Sequence, residues 1–170
     1  GVLRPILRRA SGVPMPRDQV LDAIESLHAD LADVRAILTE PTSSVRLVTT
    51  PEAVVFAEAR RTLTSLSLYG YRVDGVLVNR IFPVTGADDW RAKWIASQAV
   101  QLARIESDCD PLRVWRAGYQ AAEPVGPEAL AQLAADVYGQ DDPIAVVETP
   151  EPLTVRRVGE DFELSIALPL

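Results

Sequence analysis

Val45-Arg46-Leu47-Val48-Thr49 and Gly75-Val76-Leu77-Val78-Asn79, with a helical stretch between them, decide how this chain folds. The first run is short and rich in β-branched residues. Thr50-Pro51-Glu52 follows it and opens a helix. Thr50 suits the N-cap, Pro51 the first turn, and Glu52 the positive end of the helix dipole. That helix carries Val55, Ala59, Leu63 and Leu66 and stops at Gly70, a residue type suited to a helix C-terminus. The second run is apolar up to Asn79, the pattern of a central parallel strand buried on both faces. Strand, helix, strand at these lengths is a βαβ unit, whose crossover is right-handed and whose strands lie parallel.

Working outward, Asp88 or Asp89 caps a long helix that runs to about Ser107, with Ile95, Ala99, Leu102 and Ile105 on one side. Leu112–Trp115 is a third short strand. Gly126-Pro127-Glu128 opens a last helix bearing Leu130, Leu133, Ala134 and Val137, and Gly139 ends it. Upstream, Leu21, Ile24, Leu27/His28, Leu31, Val34 and Leu38 recur every three or four residues, which predicts an amphipathic helix stopping before Pro41. A short apolar-basic helix over Gly1–Ala10 and a loop over Ser11–Pro16 precede it. Beyond Gly139 the composition turns to Asp, Glu and Pro, the mark of a linker. The period then becomes two: Leu153/Val155 and Phe162/Leu164/Ile166/Leu168 alternate around Gly159-Glu160-Asp161, which predicts a β-hairpin. The fold class is α/β, a parallel sheet with flanking helices plus a C-terminal hairpin. A hairpin alone is marginal in water. The chain opens on Gly1 and closes in mid-strand by pattern at Ile166-Ala167-Leu168-Pro169-Leu170. Both ends read as cuts, so a larger functional unit is expected.

With 170 residues, 48% hydrophobic and 24% charged, the chain has enough material for one α/β domain with a core and a small appendage, and it is not a disordered sequence. Its net charge of −7 argues against a dedicated nucleic-acid binder, which needs clustered Lys and Arg to displace counterions. Cys109 is the only cysteine and His28 the only histidine. Neither an internal disulfide nor a soft-ligand metal site is therefore expected. This cysteine usage fits a reducing cytoplasm. No apolar run approaches the ~20 residues of a membrane span, and no signal peptide is seen.

Ligands of open parallel sheets bind beyond the C-terminal strand ends. Here those ends carry Thr49-Thr50-Pro51-Glu52 and Asn79-Arg80-Ile81-Phe82-Pro83. Asn79 ends an apolar strand. Its carboxamide offers a donor pair and an acceptor, which suits a purine edge, or else it fixes the loop through backbone hydrogen bonds. Glu58, Arg60 and Arg61 read as exposed charges or as an interface. Trp90, Trp94 and Trp115 read as core or cap aromatics. No GxxxxGK[ST] loop exists, and the single lysine, Lys93, lies in mid-helix with no glycines before it, so a phosphate cradle is absent.

Val45-Arg46-Leu47-Val48-Thr49-Thr50-Pro51-Glu52-Ala53-Val54-Val55, then Glu58-Ala59-Arg60-Arg61-Thr62-Leu63, then Gly75-Val76-Leu77-Val78-Asn79-Arg80-Ile81-Phe82-Pro83 resemble the second half of ArsA-type ATPases, the family of arsenite-pump and tail-anchored-protein-targeting ATPases. The resemblance covers about Val2 to Val137. It implies a deviant-Walker P-loop fold that dimerises around two nucleotides. It also implies a parent enzyme that binds and hydrolyses ATP with Mg. By the same resemblance Asn79 contacts adenine, Arg80 lies nearby, and a second adenine-side segment precedes an acidic-x-x-Gly signature, matched by Glu123-Pro124-Val125-Gly126. Where the family often has Pro-Leu before that signature, this sequence has Gly118-Tyr119. The cofactor-binding candidates are thus Asn79, Arg80, Gly118 and Tyr119, with no catalytic residue and no metal ligand.

The implied division is residues 1–139 as the C-terminal part of the ATPase domain (1–40 its helical subdomain), 140–152 as an acidic, proline-containing linker, and 153–170 as the start of a small-heat-shock-like β domain. The phosphate loop and both switches of the family would precede Gly1, so this chain alone is expected to be inactive. The single Met15 and single Cys109 disfavour both a methionine-rich client groove and a metalloid-binding cysteine cluster in this segment. The alternative is a non-catalytic protein–protein interaction module that kept the fold without the phosphate loop.

Overall fold

A computed structural model describes residues 18–145 and 153–166. The helix expected over Gly1–Ala10 and the loop after it lie outside these residues. The chain divides into two units between Glu40 and Pro41. The described part of the first is one helix, α1 (Asp18–Leu38). Its apolar stripe, Ile24, Leu27, Leu31 and Val34, is exposed, and so is His28.

The second unit runs β1 (Val45–Thr49), α2 (Ala53–Leu68), β2 (Val73–Ile81), α3 (Asp89–Asp108), β3 (Arg113–Gly118), α4 (Pro127–Tyr138), then β4 (Leu153–Val158) and β5 (Asp161–Ile166). The first three strands form one sheet in the order β1-β2-β3, all parallel. The βαβ expectation therefore holds and is repeated once. β4 and β5 pair antiparallel as the expected hairpin, Val155 opposite Leu164.

Period-two burial assigns the sheet faces. Leu47, Val76 and Val78 face a core completed by Phe56 and Leu63 of α2 and by Leu102, Ile105 and Cys109. Both crossover helices supply this core, as right-handed connections that step the same way across a sheet require. On the opposite face Arg46 lies beside Gly75, and Leu77 lies between Val48 and Trp115. Here the Tyr138 ring of α4 meets Trp115 edge to face at 5.5 Å.

Local signals place most element ends. Asp88 caps α3, its side chain accepting from the Arg91 N–H at 2.8 Å. Gly70 takes φ +81 after α2, and the Tyr71 N–H donates to the Leu66 carbonyl, closing the helix as a Schellman end does. One start differs from the sequence reading. Thr50 does not cap α2. The Glu52 N–H instead donates to the Thr50 carbonyl, so Pro51 sits in a tight turn and the capping position falls on Glu52, without a side-chain cap bond. Turn closure on the buried Pro51 outweighs the side-chain cap.

The N-terminal end of the sheet is held by one cation. Arg46 donates to both carboxylate oxygens of Asp74 (3.2 and 2.7 Å) and to the Pro143 carbonyl (2.9 Å). Its guanidinium lies 4.2 Å from the Trp115 ring centroid. The Asp74 hydrogen bond raises the Arg46 pKa against the opposing effect of burial. The Trp115 indole N–H donates to Asp141 at 3.0 Å. Together these contacts tie the segment after α4 to the sheet.

Two predictions follow from this packing. Gly75 lies under Trp115, where an added Cβ would be driven into the indole and would lie 2.8 Å from the Arg113 carbonyl oxygen. Gly75→Ala should therefore cost roughly 1–3 kcal/mol by overpacking, read as a lower denaturation midpoint. The Cys109 thiol is pushed up from 9.0 to about 11, first by burial and then by Asp108, with Arg60 opposing. The folded state holds that proton more tightly than the unfolded one. Its contribution to stability is thus complete below pH 9.0 and is lost as pH rises through about 11. Native protein should accordingly resist thiol alkylation at neutral pH and react once denatured.

Candidate functional site

The four sequence-predicted residues lie at the C-terminal ends of two adjacent strands. Asn79 and Arg80 directly precede Ile81, the last residue of β2, and Gly118 closes β3 with Tyr119 directly after it. Parallel register brings the pairs together: Ile81 is the partner of Gly118, and the Tyr119 N–H donates to the Ile81 carbonyl at 2.9 Å. A register irregularity between Val78 and Ile81 marks where the regular ladder gives way.

The backbone is unusual at that irregularity. Arg80 has φ +61, the only non-glycine residue with positive φ among the described residues. This conformation is costly for a residue with a Cβ and persists only where its surroundings hold it. Three contacts do so. The Arg80 N–H donates to the Asn79 side-chain oxygen at 2.8 Å. The Arg80 carbonyl accepts from Gln98 Nε2 at 3.1 Å, and the Phe82 N–H donates to Gln98 Oε1 at 2.9 Å. Gln98 is 4% exposed, so α3 clamps the loop from below.

Sequence reading left Gln98 out. The apolar stripe of α3 runs Ile95, Leu102, Ile105, and Gln98 falls on it by spacing, while Ala99 is exposed. A polar residue inside a buried stripe is the signal that could have found it, because a buried carboxamide must meet partners.

An aromatic group crowns the edge. Phe82 stacks on Tyr119 with centroids 5.0 Å apart and planes at 24°. Trp90 and Trp94 contact Phe82 at 6.3 and 6.4 Å. Of the core-or-cap tryptophans, Trp115 lies in the core, and Trp90, in the first turn of α3, is 62% exposed. It belongs to this rim rather than to the core, because α3 turns its first turns toward the strand-end loop. At the neighbouring end of β1 the Thr50 hydroxyl is buried without a hydrogen-bond partner.

The remaining candidates are ordinary. Arg61 pairs with Glu58 at 2.6 Å and Arg60 with Asp108 at 3.3 Å, both at least partly exposed. Such pairs contribute little. Among the described residues no group of His, Cys, Asp and Glu could hold a metal ion, and no helix is long and apolar enough to cross a membrane.

A parallel α/β sheet with helical crossovers and polar groups at its C-terminal strand ends is the architecture of the open α/β domains, which take their ligands at that edge. The family model described as anion-transporting ATPase matches residues 2–139. The chain belongs to the ArsA-type ATPase family. It is 33% identical over 155 residues to a Chlorobaculum tepidum protein that bears the provisional name arsenical pump-driving ATPase, covering 91% of this chain and 38% of that protein. A similarly named Aquifex aeolicus protein is 30% identical over 173 residues, covering 99% of this chain and 44% of the relative. A Streptomyces coelicolor protein is 33% identical over 169 residues, covering 99% of this chain and 41% of its own length. The chain thus spans about two fifths of the length of the curated relatives it matches.

If Phe82 is the hub of the rim, Phe82→Ala should release Tyr119, Trp90 and Trp94 together. The expected result is a loss of near-ultraviolet circular dichroism with the far-ultraviolet spectrum kept.

Proposed function

We propose that this chain supplies the base side of an ATP site in a longer ArsA-type ATPase. The observation that carries this reading is the juxtaposition of Asn79-Arg80 and Gly118-Tyr119 at one strand-end edge, joined through Ile81, which pairs with Gly118 and accepts from the Tyr119 N–H. The Asn79 oxygen is committed to the Arg80 N–H. Its Nδ2 donor pair is the part of the carboxamide left for acceptor nitrogens on a purine edge. The exposed Tyr119 ring, backed by Phe82, offers a flat face of the kind on which bases stack.

The residues present fit a base and do not fit a triphosphate. The sequence holds no glycine-rich phosphate loop, and its one lysine, Lys93, lies inside α3. Phosphate positioning and Mg binding are therefore assigned to other parts of the whole protein, and this segment alone is inactive in hydrolysis. The same reading makes the whole protein a cytoplasmic homodimer. It makes residues 1–40 part of a helical subdomain, 1–139 the ATPase portion, 140–152 a linker, and the β4–β5 hairpin the start of a small-heat-shock-like domain within 153–170.

A second reading, a non-catalytic interaction module, is favoured by the hairpin, where Val155, Phe162 and Leu164 are exposed. The reading frame upstream of the Gly1 codon separates the two: a glycine-rich loop with Lys and Ser/Thr favours the ATPase, and a start site without one favours the module.

Asn79→Ala in the complete gene product should weaken ATP binding by ~1–3 kcal/mol, the cost of one lost polar contact in a partly buried site. Titration calorimetry measures it, and unchanged affinity would remove Asn79 from the site.

A further inference from the structure

We infer that Gln98 is a positioning residue for the nucleotide base, acting through the Arg80 peptide on the Asn79 carboxamide. The inference rests on the base-side reading above and adds to it a residue that never meets the ligand.

The chain of contacts is short and directional. Gln98 Nε2 donates to the Arg80 carbonyl, and Gln98 Oε1 accepts from the Phe82 N–H. The carboxamide thus grips the backbone on both sides of Ile81. The Ile81 carbonyl is taken by the Tyr119 N–H. Between them these bonds fix Arg80, Ile81 and Phe82, the stretch where the β2–β3 ladder is irregular and then ends. Arg80 is consequently held at φ +61, and in that conformation its N–H donates to Asn79 Oδ1. An asparagine side chain on a free loop would rotate among several positions. Here its oxygen is tied, so its Nδ2 group has one orientation.

The clamp is itself buried. Gln98 is 4% exposed, and α3 is anchored a turn further on by Leu102 and then by Ile105 and Cys109, which are buried in the core. A carboxamide can also donate to a carbonyl and accept from an N–H at once, from two separate atoms. Leucine can do neither, and an ionised glutamate can only accept. The buried location makes the pairing mutual, since an unmet Gln98 would itself be destabilising.

The experiment uses the complete gene product, with ATP as ligand and tryptophan fluorescence from Trp90 and Trp94 as the binding signal, in a Trp115→Phe background. Asn79→Ala, Gln98→Leu and the double variant are compared. Amide exchange at Phe82 is followed in parallel, without ligand. The expected result is that Gln98→Leu speeds Phe82 exchange and weakens ATP binding roughly tenfold, the size of one lost oriented hydrogen bond. The double variant should then bind no more weakly than Asn79→Ala alone, because both act through one contact.

Additive losses would overturn the inference, since Gln98 would then act elsewhere. Weakened binding in Asn79→Ala with wild-type affinity in Gln98→Leu would overturn it while the base-side reading stood. Unchanged binding in Asn79→Ala would overturn both. If Gln98→Leu does not fold, Gln98→Met fills nearly the same volume but has no donor for the Arg80 carbonyl, and the same comparison decides.

Discussion

Parallel pairing of three consecutive strands is the constraint on which the rest of this structure depends. Two parallel neighbours cannot be joined by a tight turn, so each connection must cross the sheet as a helix. That requirement puts α2 and α3 on one face and builds the core from Phe56, Leu63, Leu102 and Ile105 against Val76 and Val78. It also sends every strand the same way. The residues after β1, β2 and β3 therefore meet at one edge, and Asn79, Arg80 and Tyr119 share a neighbourhood although Tyr119 lies far along the chain.

The two ends of the sheet differ in how their polar groups are met. At the N-terminal end, Arg46 is enclosed by Asp74, Trp115, Tyr138 and the Pro143 carbonyl. Each charge and donor there has a partner within the protein, and the cluster serves to fasten the chain after α4. At the C-terminal end the loop is held with equal care, but the Arg80 side chain, Trp90 and Tyr119 are turned to solvent. One end is complete in itself. The other holds a strained φ at Arg80 in a loop whose outer side is exposed, and it is the end proposed above for the nucleotide base.

Legibility in the sequence followed the range of the forces involved. Asp88 as a cap, Gly70 as a helix end and the alternation of Phe162 and Leu164 are local effects, and each appears where the residues say it should. Thr50 failed as a cap for a local reason of another kind, because turn closure around Pro51 moved the helix start by two residues. Family membership was legible because the strand-Thr-Pro-Glu and Val-Asn-Arg segments are specific strings.

What the sequence determined by itself is the elements from α1 to the hairpin, the parallel pairing of β1 with β2 and the family, because periodicity, caps, crossover handedness and short specific strings act over limited stretches of chain. What only the tertiary structure decided is the clamp: Gln98 under the Arg80 peptide, Phe82 against Tyr119, Trp90 on the rim rather than in the core. Those pairings join residues from β2, α3 and the end of β3. They depend on how far α3 is rotated about its axis, which packing of Leu102 and Ile105 sets and which no short stretch of sequence encodes.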